Sequence, residues 1–342
     1  MDIQEQIIQF ARSNDKFRTS DIMRKLSLKV SRQYISSVLS LMVSTGRLIR
    51  AGSGEFIYYS LPEKAAALFT SITRKLKNGK ISEDTVYQEL ESQSPIIKNL
   101  PENIASILFY AFTEMLNNAV DHSQSKNIVV ELHNKDGVIE FIVEDYGVGV
   151  FRNVMNKKKL QSELDAIQDL LKGKTTTAPQ AHSGEGIFFT SKIGDLFILE
   201  SFGYRLRVDN KIQDVFIENI PSKKRGTRVT FQLPINSKKH LNDIFKEYQT
   251  DPEEYAFDKT EVKVKLYTLG TIYISRSQAR RILSGLEKFK TIILDFDKVP
   301  TVGQAFADEI FRVFKSRHPE IEIKPLNMEE PVAFMINRVE KP

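Results

Sequence analysis

Residues 107–123 read ILFYAFTEMLNNAVDHS. With the residues just ahead of them, the apolar positions Ile104, Ile107, Leu108, Ala111, Phe112, Met115 and Ala119 recur at the three- and four-residue spacing of one helical face. Beside that face Glu114, Asn118 and His122 follow one another at four-residue steps, so they project in a single row. A carboxylate and a carboxamide one turn apart suit a hydrated Mg²⁺ and an activated water. The Asn oxygen is a hard-cation ligand and the Glu can accept a proton. Taken alone, such a row is equally the solvated edge of an ordinary helix.

The sequence downstream narrows the choice. NIVVELH (127–133) and VIEFIVED (138–145) alternate as strands and are joined by Asn134-Lys135-Asp136-Gly137, a hairpin signature. The second strand runs into Asp145-Tyr146-Gly147-Val148-Gly149, where glycine lets the backbone pass close to a flat ligand. A basic, polar stretch over 150–183 is long enough for a lid. Gly184-Glu185-Gly186 then opens the apolar helix IFFTSKIG, whose first amides are placed for phosphate oxygens. Gly226-Thr227 starts a last strand, RVTFQL.

In that order, E-x-x-x-N, D-x-G-x-G, a lid, G-x-G and G-T resemble the four nucleotide-binding boxes of the GHKL ATPase superfamily, over about residues 99–235. That superfamily includes gyrase, MutL, heat-shock chaperones, histidine kinases and the serine kinases that act as anti-sigma factors. The resemblance implies a Bergerat α/β sandwich with a mixed sheet, binding ATP and Mg²⁺. It implies Glu114 as general base and Asn118 as Mg²⁺ ligand. Asp145 would accept from the adenine amino group, and Gly147 and Gly149 would shape the adenine floor. Gly184 and Gly186 would let lid and helix wrap the phosphates, and Thr227 would sit behind the adenine. No Walker A loop is present, as this fold requires. The histidines are His122, His133, His182, His240 and His318, and none lies in the helices ahead of the domain, which argues against a histidine autokinase. The domain is shorter than gyrase or MutL and no transducer region follows. The nearest relatives are the compact anti-sigma-type serine kinases. His122 fits them too, and reads equally as a surface histidine near the lid.

Residues 1–62 are helix-rich and end in a hairpin pattern. Between residues 22 and 54 there is no acidic residue, while Arg24, Lys25, Lys29, Arg32, Arg47 and Arg50 are basic. A short helix starts near Thr19 and Ser20, with Ile22, Met23 and Leu26 inward. Ser31 caps a second helix, RQYISSVLSLMVSTG, whose Ile35, Val38, Leu39 and Met42 form one face. Its other face offers Arg32, Gln33, Ser36 and Ser37, donors able to reach base edges and phosphates. RLIRAGSGEFIYYSL then alternates about Gly52-Ser53-Gly54, a two-stranded wing. Helix, turn, helix and hairpin resemble the winged helix-turn-helix family. The resemblance implies a DNA-binding domain with those four residues on the recognition helix and Arg47 and Arg50 flanking the wing. A protein-docking module with a merely solvated basic face is the other reading.

Residues 63–98 read as connecting helices: KAAALFTSITRKLK is amphipathic, and Ser82 with Glu83 and Asp84 marks a helix start. Polar, proline-containing QTDPEEYAFDKT (249–260) places a boundary after a nucleotide-binding domain at 99–248. Residues 261–342 then alternate strand and helix three times. TIILDF, Val299-Pro300-Thr301-Val302-Gly303 and the helix GQAFADEIF resemble the STAS fold of anti-anti-sigma factors, more closely a STAS-like domain fused to bacterial ATP-binding proteins. Regulatory STAS proteins carry a phosphate-accepting Ser or Thr at the start of that helix. Here Gly303-Gln304-Ala305-Phe306 has no hydroxyl, and Thr301 is the nearest acceptor. Docking within the chain or onto a protein partner is the reading this leaves, with a purely structural appendage beside it.

The whole is therefore an α+β multidomain chain of 342 residues. Forty-nine basic against 44 acidic side chains give a net +5, so any nucleic-acid surface must be local. Zero cysteines exclude disulfides, thiolate metal sites and a cysteine nucleophile. A charged N-terminus and the lack of a long apolar run point to a cytoplasmic protein without a membrane span. The combined expectation is a bacterial ATP-dependent regulator that binds Mg·ATP and DNA and hydrolyses ATP slowly, with a homodimer suggested by the long connecting helices. The alternative is a serine/threonine kinase acting on a protein partner.

Overall fold

Ser31 accepts the amide of Tyr34 at 3.2 Å and so begins the longest helix of the N-terminal module. The computed structural model of the protein describes residues 2–25, 30–51, 57–64, 71–79, 81–174, 184–221, 224–251, 253, 256–267 and 273–340, the side chains of 95 and 96 excepted. The module consists of α1 (Ile3–Arg12), α2 (Thr19–Lys25), α3 (Arg32–Ser44) and an antiparallel pair, β1 (Ile49–Ala51) and β2 (Tyr58–Ser60). The four α3 positions expected to face inward are all buried, in one core with Ile7, Ala11, Phe17, Ile22, Leu48, Tyr59 and Leu61. Met23 packs against that core. Leu26 and the Gly52-Ser53-Gly54 turn lie outside the described residues.

The chain divides into two compact units, Met1–Gly147 with Arg228–Ser237, and Val148–Thr227 with Lys238–Pro342. In the first unit, residues 71–77 were expected to be helical and are instead the strand β3 (Ser71–Lys77). Their helix-like spacing is overridden by a seven-residue antiparallel ladder to β4 (Asn127–Lys135), from Ser71 opposite His133 to Lys77 opposite Asn127. The helix expected after Ser82 is present as α4 (Glu83–Gln93), followed by a short α5 (Pro95–Lys98). α6 (Glu102–His122) buries all seven expected apolar residues and Leu116 besides.

β4 turns through Asp136 and Gly137, both at positive φ, into β5 (Val138–Asp145), which pairs in turn with β9 (Thr227–Pro234). Phe112 of α6 meets Phe141 of β5 edge-to-face at 5.6 Å, and Phe141 stacks on Phe231 of β9 at 5.0 Å. These contacts fix the height of α6 over the sheet, and with it the row of polar side chains along its edge.

The second unit opens with α7 (Val150–Lys158) and α8 (Glu163–Lys172), inside the stretch read as a lid. Its remainder, 175–183, lies outside the described residues. α9 (Gly186–Ile193) follows, then the antiparallel strands β6 (Leu196–Ser201), β7 (Tyr204–Asp209) and β8 (Asp214–Asn219), and later α10 (Leu241–Glu247).

The C-terminal part has the expected alternation. β10 (Lys259–Lys263), β11 (Thr291–Asp295) and β12 (Glu322–Leu326) form a parallel sheet in that order. They are connected by α11 (Arg276–Leu283) and by α12 (Gln304–Asp308), which continues through a π-wound turn (Glu309–Phe314) into α13 (Lys315–Arg317). α14 (Glu330–Glu340) closes the chain. The segment 249–260, read as a polar boundary, is in part core. Phe257 packs on Phe188 and Phe189, each at 4.8 Å, and on Phe289 at 5.3 Å. An aromatic flanked by acidic residues looks solvated in sequence, but a large ring recovers more by burial than its polar neighbours lose. Pro252 lies outside the described residues.

Candidate nucleotide-binding site

In the first unit, Glu114, Asn118 and His122 occupy the half-buried edge of α6, as the four-residue spacing requires. Ser123 ends the helix. Its hydroxyl donates to Ala119 O at 2.5 Å and accepts the amide of Ser125 at 2.9 Å. Asp145 ends β5 and is 4% exposed. Its Oδ1 accepts the amide of Gly147 at 2.8 Å, a tight Asx-type turn that holds the carboxylate in one orientation. Gly147 has no alternative residue here: a Cβ at this position would lie 1.7 Å from the carbonyl oxygen of Ser123. Next to the turn, Glu144 is buried and paired with Arg228, its cross-strand neighbour on β9, at 2.7 Å. Glu114, Asn118, His122, Asp145 and Gly147 thus sit on a helix and a turn that touch through Ser123.

In the second unit, Gly149 precedes α7 at φ 80°, against the hairpin of β6 and β7. A Cβ there would lie 2.5 Å from Ser201 Oγ and from the Phe202 ring. Ser201 donates to Gly226 O at 2.8 Å, and the Arg152 guanidinium covers the Phe202 ring at 3.6 Å. Thr227 Oγ1 accepts the amide of Val150 at 3.0 Å, satisfying an otherwise orphaned donor at the start of α7. Gly184 stands at φ 76° and Gly186 is the first residue of α9. Sequence reading missed Ser123, Ser125, Ser201 and Phe202. Only Ser201 carried a signal, as the last strand residue before Phe202-Gly203, a two-residue turn.

Within the same second unit the C-terminal part grips α8. Gln168 donates to Leu266 O at 2.6 Å, Tyr267 donates to Gln168 O at 2.9 Å, and Thr260 donates to Lys172 O at 2.7 Å. Lys172, 4% exposed, donates to the carbonyls of Arg281 at 3.0 Å and Ser284 at 2.8 Å, at the end of α11. Burial draws its ammonium from 10.5 down to about 8. Above that value the folded chain has released a proton that the unfolded chain keeps up to 10.5, so the folded state gains stability as pH rises through this window. In denaturant melts, the stability of the natural protein relative to Lys172→Met is expected to grow between pH values of about 8 and 10.5. A pH-independent difference would contradict this.

In the N-terminal module Arg32, Gln33 and Arg50 are exposed. Ser36 is half-buried, and Ser37 returns its hydroxyl to Gln33 O at 3.1 Å. Arg47 is exposed and donates to Gln4 Oε1 at 2.6 Å. Lys16 and Arg18, which sequence reading passed over, lie over the Tyr58 ring at 5.2 and 4.4 Å. Lys16 also donates to Ser71 of β3 at 2.6 Å, and burial lowers its pKa.

Residues 103–237 match the family described as "Histidine kinase-, DNA gyrase B-, and HSP90-like ATPase", and residues 278–333 match a "STAS-like domain of unknown function". The chain thus carries a GHKL ATPase domain and, at its C-terminal end, a STAS-like domain. Among solved structures it is similar to the 43K ATPase domain of Thermus thermophilus gyrase B in complex with an aminocoumarin. That match has 21% identity and a TM-score of 0.24 over 51% of this chain and 44% of the other, less than half of its length. No curated protein matches the chain. Among the described residues no helix is long and apolar enough to cross a membrane.

Proposed function

We propose that this chain is an ATP-dependent regulator that binds Mg·ATP in its GHKL domain and DNA through a winged-helix N-terminal module, with slow hydrolysis. The observation that carries the reading is the content of the first unit. One compact body contains an α3 face without acidic side chains and the α6 row with the Asp145 turn. Lys16 bonds the module to the edge strand of the same sheet.

The donor set fits the nucleotide. Asn118 offers a hard carboxamide oxygen and Glu114 a carboxylate one turn away, both half-buried, and the pinned Asp145 carboxylate is an acceptor for an exocyclic amine. When bound, Mg²⁺ supplies charge neutralisation on the phosphates. Asn118 would hold it, Glu114 would take the proton of the attacking water, and Asp145 would select the base. Gly184 and Gly186 stand at the start of α9 in the second unit, where the resemblance would put phosphate contacts. His122 closes the α6 row, and Thr227 keeps the start of α7 in place.

For DNA, three helices over a shared core with a two-stranded hairpin support the winged-helix reading. Arg32 and Gln33 head α3, where a recognition helix meets base edges, and Arg47 and Arg50 flank the hairpin as phosphate contacts. Ser36 and Ser37 contribute less, one half-buried and one bonded to its own helix. The test is binding of a random duplex pool by the full chain across a salt series. Affinity should fall steeply with salt, and Arg50→Ala should weaken binding to all sequences and flatten the salt slope by about one. Affinity insensitive to salt or to Arg50→Ala would overturn the DNA reading.

In the alternative the GHKL domain is a serine/threonine kinase acting on a separate protein, with the N-terminal module as its docking surface; exposed Thr301, just ahead of α12, is the nearest acceptor within the chain. Labelled γ-phosphate appearing on Thr301, or on a separate protein, would move that reading to the front. The hold of β10 and α11 on α8 supports a STAS-like domain that transmits within the chain. A protein partner seated on that domain remains the other proposal for it.

A further inference from the structure

The ladder between β4 and β5 ends at Ile128 opposite Asp145. One rung further, a side chain replaces the missing backbone pairing. Ser125 Oγ donates to Asn127 O at 2.6 Å and accepts the amide of Tyr146 at 3.1 Å. Its own amide donates to Ser123 Oγ, which in turn donates into the last turn of α6. Gln124, between the two serines, takes φ 58°, and this brings both hydroxyls to one side of a tight corner. Ser123 and Ser125 are 5% and 6% exposed, so water does not substitute for these bonds. The result is a continuous chain of bonds from Ala119, one residue past Asn118, to Tyr146, one residue past Asp145.

We infer that Ser125 is a positioning residue for base recognition: it sets the Asp145 turn in register with the α6 row. The inference rests on the reading of the GHKL domain as an ATP site. A carboxylate discriminates an amino group from a carbonyl only when held within a fraction of an ångström of its bonding position. Gly147, which bonds the Asp145 carboxylate, belongs to the same turn and moves with it. Ser125 ties that turn to an element outside itself.

The test uses the full chain and two probes, ATP and GTP, titrated with Mg²⁺ present into the natural protein, Ser125→Ala and Ser125→Thr. Thermal melts run in parallel. The natural protein should prefer ATP. Ser125→Ala should lose about tenfold in ATP affinity with little change for GTP, so the preference collapses by that factor. Ser125→Thr, which keeps the hydroxyl, should restore the preference. A merely structural serine would lower both affinities together, in step with the melting temperature, and that result, like an unchanged ATP preference in Ser125→Ala, overturns the inference. Failure of the natural protein to bind ATP is a separate outcome. It would remove the ATP reading itself.

Discussion

Asn118→Ala is expected to raise the Kd for Mg·ATP at least about 100-fold while leaving the fold intact, since losing a hard ligand or its shell costs 10–100-fold or more. The expectation of an intact fold follows from the position. Asn118 stands on the half-buried edge of α6, between the buried Met115 and Ala119, and alanine is the best helix former. The contrast with Glu114→Ala makes the result diagnostic. Glu114 is assigned a proton-accepting role, so its loss should spare binding and slow hydrolysis by about 10²–10⁴-fold, the usual worth of a general base. Titration of labelled ATP and single-turnover hydrolysis separate the two. Unchanged nucleotide affinity in Asn118→Ala would reject the Mg²⁺ role, and full turnover in Glu114→Ala would reject the base.

Gly147→Ala carries the second large effect. The new methyl would fall 1.7 Å from Ser123 O and 2.5 Å from Ser123 C, both backbone atoms at the end of a 21-residue helix packed on the sheet. No rotamer relieves that overlap. Either the turn opens or the end of α6 shifts, at a cost of about 3 kcal/mol or more, at or above the upper end of ordinary overpacking. Because the turn carries Asp145, ATP binding should fall with stability. Gly79→Ala is the control: nothing lies within 4 Å of its added methyl and its φ is not positive. It should be neutral or stabilise by up to about 1 kcal/mol. Denaturant melts of the two variants check this, and equal stabilities would contradict it.

What the sequence made legible follows from the range of the forces involved. The faces of α3 and α6 could be read because burial repeats with the helical period, and the hairpin at Asp136 and Gly137 because only certain residues adopt its φ values. β3 could not. Its residues satisfy a helical pattern, and only the ladder to β4, some 55 residues away, makes them a strand. The burial of Phe257 within 249–260 was hidden for a similar reason, since its ring is placed by rings on α9 and by Phe289 rather than by its acidic neighbours. Within the candidate site the motif residues were legible as spaced types. The residues that orient them were not: Ser125 bonds Tyr146, 21 positions on, and serine next to a helix end has many commoner uses. Lys172 was equally hidden, a lysine in a basic segment whose burial depends on the end of α11.

The measurement that bears most directly on an ATP-dependent regulator is the affinity of the full chain for duplex DNA with and without Mg·ATP, at one fixed salt concentration. A nucleotide acts on DNA binding only through its differential affinity for two arrangements of the protein. The account predicts that the DNA Kd changes by about 5–150-fold on adding Mg·ATP, and that saturating DNA changes the ATP Kd by the same factor. Equal DNA affinity in both states would contradict it, and so would a change in one direction of the cycle without the other.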